Sequence, residues 1–269
     1  MTSDGAGRFG SGEHVEYLLR LGDSALVLGQ RLAEWCGHGP VLEEDIAMAN
    51  VALDLVGQAR LLLTHAGKAE GKGRDEDQLA FLRDVPEYRN STLAELPSSG
   101  VASARAASGD YAVAIVRNLL FCAYQCELWR ALSDSKDAEL AAIAAKSLKE
   151  SRYHFRHAAD WTIRFGEGTD ESRARAQAAV DALWPYTHEL FETDPVERAV
   201  ARHGIGVESA TLRPGWLDAV TAVVAEATLR LPPDTAFRSS GKLGAHSEHL
   251  GYLLTEMQSL HRQHPGASW

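Results

Sequence analysis

Long Ala- and Leu-rich stretches with apolar residues every three or four positions run through the chain, while alternating β-branched runs and Asn-Gly hairpin signals are nearly absent. The pattern predicts a first helix from Glu13 to Trp35, ended by CGHGP, where Gly37, Gly39 and Pro40 break it. A second begins near Pro40, with Glu43, Glu44 and Asp45 at its positive end, and continues through VALDLVGQARLLLTHAGKAEG. A third covers Asp110 to Leu132, and a fourth Asp137 to Phe165. The stretch from Gln78 to Ala107 is irregular, punctuated by Pro86, Pro97 and Gly100. A fifth helix is expected over Glu171 to Glu192, kinked or broken at Pro185. Shorter helices follow near 195–203 and 213–230, then the loop PPDTAFRSSGKLGAHSEH and a final helix, HLGYLLTEMQSLHRQ.

Four long helices in two hairpins, joined by an irregular connection, predict an all-α fold. The expected architecture is a ferritin-like four-helix bundle with additional C-terminal helices, because only a bundle of that connectivity needs a long crossover between its second and third helices. The 269 residues suit one large domain, expected over 13–269 after a flexible Gly/Ser tail over 1–12 that lacks the apolar core of a secretion signal. A formal charge of −10 argues against nucleic acid or an anionic membrane as partner. No apolar run approaches the ~20 residues that span a bilayer. Cys36, Cys122 and Cys126 form no C-x-x-C pair, which points to a reducing cytoplasm.

The stretch KESRYHFRHAADW carries the main question of chemistry. Carboxylate-bridged di-iron bundles use a Glu-x-x-His from each of two helices and one Glu from each of the others. Neither Glu-x-x-His nor Asp-x-x-His occurs anywhere in this chain. Glu150 and His154 are four apart, and Ser151 stands where the carboxylate belongs. The second helix answers with Asn50, Asp54 and Gln58, a polar ladder without a histidine. The first helix offers Asp23, Gln30 and Glu34, and the third Gln125 and Glu127. On the fourth helix, Leu140, Ala144, Ser147, Ser151, His154, Ala158, Trp161 and Phe165 form one inward stripe, which puts His154 inside. The reading that follows is a hydrogen-bonded polar network in the place of a metal centre, with no metal in this chain. An alternative is a di-iron site with unorthodox ligands, Glu34, Asp54, Glu127, Glu150 and His154.

Other constellations are weaker. There is no G-x-S-x-G, Walker loop or G-x-G-x-x-G. His246, Glu248 and His249 near the last helix are expected to serve helix start and contacts rather than ligation.

Several blocks resemble a known family. LRLGDSALVLGQRLAEWCGHGPVLEEDIAMANVALDLVGQAR, LKESRYHFRHAADW, GKLGAHSEHLGYLLTEMQ and the closing PGASW are similar to the non-catalytic, structural chains of bacterial ring-1,2-phenylacetyl-CoA epoxidases, also called phenylacetate-CoA oxygenases. The similarity is collinear from about Tyr17 to Trp269. It implies a ferritin-like fold, no catalytic residue and no cofactor in this chain. It also implies a separate catalytic partner, whose di-iron centre inserts one atom of O2 across the ring of phenylacetyl-CoA. The expected assembly is homodimeric or heterotetrameric and cytoplasmic, with no nucleic acid and no membrane. The residues of the lost metal site are, by resemblance, Glu34, Asp54, Gln58, Glu127, Glu150, Ser151 and His154. Contact with phenylacetyl-CoA is implied for Glu87, Tyr88, Arg89 and Asn90 in the crossover and for Arg198, Ala199 and Val200. Arg89 and Arg198 would face the CoA phosphates and Tyr88 would stack. A third reading is a ferritin-like interaction protein with a different partner.

Overall fold

Several helix starts in this chain are set by short acceptor side chains. Asp110, Asp137, Thr169 and Asp194 each take a backbone N–H of the first turn that follows them, a cap worth about 1 kcal/mol apiece. In a computed structural model that describes residues 11–98 and 109–267, ten α-helices follow. They are α1 (Ser11–Ala33), α2 (Leu42–Glu70), α3 (Glu76–Phe81), α4 (Thr92–Glu95), α5 (Tyr111–Leu132), α6 (Ala138–Glu167), α7 (Asp170–Leu183), α8 (Pro195–Arg202), α9 (Arg213–Glu226) and α10 (Glu248–Gln263). No strand occurs among the described residues.

α1 packs chiefly on α2 and α5 on α6, the two expected hairpins. Gly22 and Gly29, seven apart on α1, allow the first pair to approach closely. A Cβ at Gly22 would stand 2.9 Å from the Leu63 side chain, and one at Gly29 3.3 Å from the Ala52 carbonyl oxygen. α5 is buried on nearly every face, since α4, α6, α7 and α9 all contact it, and its sequence is accordingly apolar all round. At Gly166, near the end of α6, the Ala227 carbonyl fills the space of a side chain: a Cβ would lie 1.7 Å from its oxygen. One hydrophobic core runs from Tyr17 on α1 to Leu254 on α10.

Some boundaries differ from the pattern. α1 begins at Ser11, inside the stretch expected as a tail, and residues 1–10 of that stretch lie outside the described residues. The expected fifth helix divides at Pro185 into α7 and a 3-10 segment, Trp184–Phe191, because proline supplies no N–H to continue the ladder. α2 also corrects an expectation, since by length and composition it is apolar enough to cross a membrane. Within its most apolar window 44% is buried in the fold, and Asp54, Gln58 and Arg60 interrupt it.

Residues 99–107 of the expected crossover lie outside the described residues; its described part is held to α1 by a buried ion pair. Asp23 of α1 accepts two hydrogen bonds from Arg83, one of 2.9 Å from Nη1 and one from Nη2, and a third of 2.8 Å from the Arg89 backbone N–H. The Arg83 guanidinium lies over the Tyr88 ring, 4.5 Å from its centroid. Spacing on α1 places Asp23 in the bundle's inner polar set; it faces the crossover instead.

Candidate functional site

The inward stripe of α6 forms as its spacing predicts. Leu140, Ala144, Ser147, Ser151, His154 and Ala158 are buried, and Trp161 and Phe165 partly so. Opposite them on α2, Gln58 is buried while Asn50 is exposed. The polar groups do not form one network. Gln58 Nε2 donates to Glu150 Oε2 at 3.0 Å, and Gln125 Nε2 donates to Gln58 Oε1 at 3.4 Å. The other Glu150 oxygen meets Lys146 Nζ at 2.8 Å. Separately, His154 Nε2 pairs with Asp54 Oδ2 at 2.9 Å. Ser147 Oγ, Ser151 Oγ, Gln125 Oε1 and His154 Nδ1 make no hydrogen bond to protein there.

Burial pushes the His154 imidazolium below its ordinary range, and the hydrogen bond and charge of Asp54, with the charge of Glu150, only partly offset this. The ring is therefore held toward its neutral form. A neutral imidazole is a good metal ligand, but the rest of the donor set does not fit a di-iron centre. Glu150 is paired with the Lys146 ammonium and accepts from the Gln58 amide, Asp54 has a 41% exposed side chain, and Gln58 and Gln125 are amides.

Two other sequence candidates lie elsewhere. Glu34, just past the end of α1, is bound to Arg31 at 2.6 Å. Glu127 makes a forked pair with Arg130, at 2.7 and 2.5 Å. No hydrogen bond or ion pair joins either to Glu150 or His154. Glu127 and Glu34 are thus held in ion pairs of their own; of the expected set, Gln58 meets Glu150 and Asp54 meets His154, while Ser151 Oγ is buried without a hydrogen bond. Lys146 is absent from that set, although its i,i+4 spacing to Glu150 is readable in the sequence.

The crossover candidates divide by burial. Tyr88 and Asn90 are fully buried, contrary to a role for Tyr88 in stacking on a ligand: its ring is covered by Arg83 and its hydroxyl donates to the Ala80 carbonyl. Asn90 Nδ2 donates to Glu95 Oε2 at 2.7 Å. Ala199 and Val200 are buried on α8. Glu87 is exposed and closes a turn by accepting from the Asp84 N–H at 2.8 Å. Arg89 is half-buried, held by Glu16 at 2.9 Å. Arg198 is exposed and donates to the Thr193 carbonyl at 3.2 Å.

Below the crossover, the block GKLGAHSEH is sewn to it by buried carboxylates. Glu95, fully buried, accepts from Asn90, from the Ser247 N–H at 2.6 Å and from His246 Nδ1 at 2.8 Å. Glu189 takes the Thr92 N–H, the Ser239 hydroxyl and the Lys242 N–H. His246 is thus a structural residue. Burial alone would depress its pKa, but the hydrogen bond and charge of Glu95, the Tyr88 carbonyl and the charge of Glu189 outweigh it and hold the ring above its ordinary range.

A raised folded pKa makes this contribution complete below the unfolded value and loses it as pH rises through the folded one. His246→Asn is accordingly expected to cost about 1.5–3 kcal/mol at pH 5.5, and less at pH 8.5. Urea unfolding at both values tests it; an equal loss at both would show that the charge plays no part.

A model of the family described as phenylacetic acid catabolic protein matches residues 7–269. The C-type chain of the 1,2-phenylacetyl-CoA epoxidase of Escherichia coli (strain K12) is 47% identical over 253 residues, which cover 94% of this chain and 98% of that protein. With its helical hairpins, its crossover and near-complete coverage by the family, the chain belongs to the ferritin-like phenylacetic acid catabolic protein family.

Proposed function

We propose that this chain is the non-catalytic component of a phenylacetyl-CoA epoxidase complex, and that it stabilises and positions a separate catalytic chain that carries the di-iron centre. The observation that carries this reading is Glu150, whose two oxygens are taken by Lys146 and Gln58. In this reading the Lys146 ammonium, itself 56% exposed, sets a positive charge against Glu150 without offering a ligand, and the bundle needs no iron of its own. The similarity to an epoxidase component over 94% of the chain supports the choice of complex.

The partner face proposed for this chain is on α2. Leu42, Ile46 and Leu53 are 72%, 52% and 68% exposed, and Val56 is also exposed. At 100° per residue these four fall within one narrow arc of the helix, the stripe that a second bundle would cover. In the same reading Arg89 and Arg198 supply positive charge toward the CoA phosphates, while Tyr88, Asn90, Ala199 and Val200 only shape the wall behind them.

The full chain, purified alone and offered ferrous iron under reducing conditions, is expected to stay colourless with substoichiometric iron. Adding the di-iron partner should then restore oxidation of phenylacetyl-CoA. Stoichiometric iron that is lost in the Glu150→Ala, His154→Ala double variant would instead establish the self-sufficient di-iron reading.

A further inference from the structure

Far from the centre of the bundle, three side chains that the epoxidase reading does not use converge on one point. His14 lies in the first turn of α1, His65 in the last turns of α2, and Asp137 is the cap of α6. At 1.5 Å per residue, this cluster is roughly 10–25 Å along the helices from Gln58 and His154. We propose that His14, His65 and Asp137 bind one divalent transition-metal ion of the zinc class.

The donor atoms are already aimed at one another. His65 Nε2 lies 2.6 Å and His14 Nε2 2.8 Å from the same carboxylate oxygen, Asp137 Oδ2. The two rings stand nearly perpendicular, 79° apart with centroids at 5.5 Å, so their Nε2 atoms converge without stacking. All three donor atoms lie within 4.8 Å of one another. A zinc ion with bonds of about 2.0–2.1 Å keeps tetrahedral donors about 3.3 Å apart. Entry of the ion therefore asks Oδ2 to withdraw by roughly half an ångström from each imidazole, within the freedom of a side-chain rotation.

The surroundings fix these donors in the manner of known metal sites. Asp137 Oδ1 is committed to the Glu139 and Leu140 backbone N–H groups at 3.1 Å, which leaves Oδ2 to face the histidines. On the far side of His65, Nδ1 makes no hydrogen bond; Glu139 Oε2 is an ion-pair neighbour 3.3 Å away, and Glu139 is itself held by Lys68 at 2.8 Å. A carboxylate on that side adds negative charge beside the site, which favours a bound cation. Side-chain exposures of 16%, 11% and 10% for His14, His65 and Asp137 leave an approach from solvent, and a water completes the fourth position. Two imidazoles and one carboxylate select zinc-like ions over magnesium or calcium, which prefer oxygen alone. The ion would tie the start of α1 and the end of α2 to the start of α6. It is therefore a clamp between the two hairpins rather than a reaction centre, and does not depend on which complex the chain joins.

The test uses the full-length chain, stripped with chelator and titrated with ZnCl2, with MgCl2 as the comparison. One zinc per chain is expected, with a higher thermal midpoint under zinc and not under magnesium. Co2+ in its place should give visible absorption bands of a four-coordinate site. Asp137→Asn keeps a good helix cap but loses the charge, and together with His65→Gln it should weaken zinc binding by more than about tenfold. His14→Gln, on the more exposed residue, serves if either of those fails to fold. The Glu150→Ala, His154→Ala variant should bind zinc as tightly as the parent. The proposal is overturned if the parent binds no zinc, if the cluster variants bind it equally well, or if the bundle-centre variant loses it. Iron content of the isolated chain reports on the epoxidase reading separately, so the two can fail independently.

Discussion

Asp23→Ala is expected to destabilise the chain by about 3–5 kcal/mol, the usual cost of removing one partner of a buried ion pair. The side chain is fully buried, and Arg83 opposite it is nearly so. Removal leaves a guanidinium beneath the crossover with only the Leu79 and Glu87 carbonyls as partners. It also orphans the Arg89 backbone N–H, which donates to Asp23 at 2.8 Å. Arg83 covers the Tyr88 ring and Gln258 of α10 donates to the Arg83 carbonyl, so the loss should reach the C-terminal helix. Chemical denaturation would read the total, and hydrogen exchange should show the crossover and α10 loosening before the α5–α6 hairpin. Asp23→Asn keeps the shape without the charge and should lose less. A change under about 1 kcal/mol in Asp23→Ala would mean that the crossover is held by something else.

A second large effect is expected where stability is not at stake. Ile46→Glu with Leu53→Glu places two carboxylates on the exposed stripe of α2. Exposed positions of this kind usually change folding by no more than about 0.5 kcal/mol. If the stripe is the face that meets the di-iron partner, each charge would be buried unpaired, and assembly should weaken by more than about 100-fold. The chain alone should keep its thermal midpoint while co-elution with its partner and the restored epoxidation are lost together. Leu260→Glu on α10, also exposed, is the matched control and should leave both intact. Co-elution that survives the double variant would move the partner face elsewhere; a parent chain that never co-elutes would refute the epoxidase reading itself.

The fold is legible in the sequence where the determining forces are local. Helical periodicity, Asp and Thr caps and the break at Pro185 act within a few residues, so the hairpins and the division at Trp184 can be read in advance. The missing Glu-x-x-His is equally local, because metal-ligand spacing on one helix is a matter of three positions. The inward face of α6 follows from spacing too, and His154 is buried on it. Which polar residues meet is not legible in this way. Glu34 and Glu127 sit at plausible spacings, yet each pairs with an arginine three positions away and neither reaches Glu150 or His154.

By itself, then, the sequence determined an all-helical chain in two hairpins with a crossover, and a fourth helix that turns a histidine and two serines inward. Only the tertiary structure decided that Gln58 takes the second oxygen of Glu150, that Tyr88 and Asn90 are framework, and that His14, His65 and Asp137 share one point. The reason is physical. Periodicity states which face of a helix is buried, but the partner of a buried polar group comes from another helix, 72 residues away for His65 and Asp137. That partner is chosen by the rotation, offset and crossing of helices, which packing sets only when the whole bundle closes.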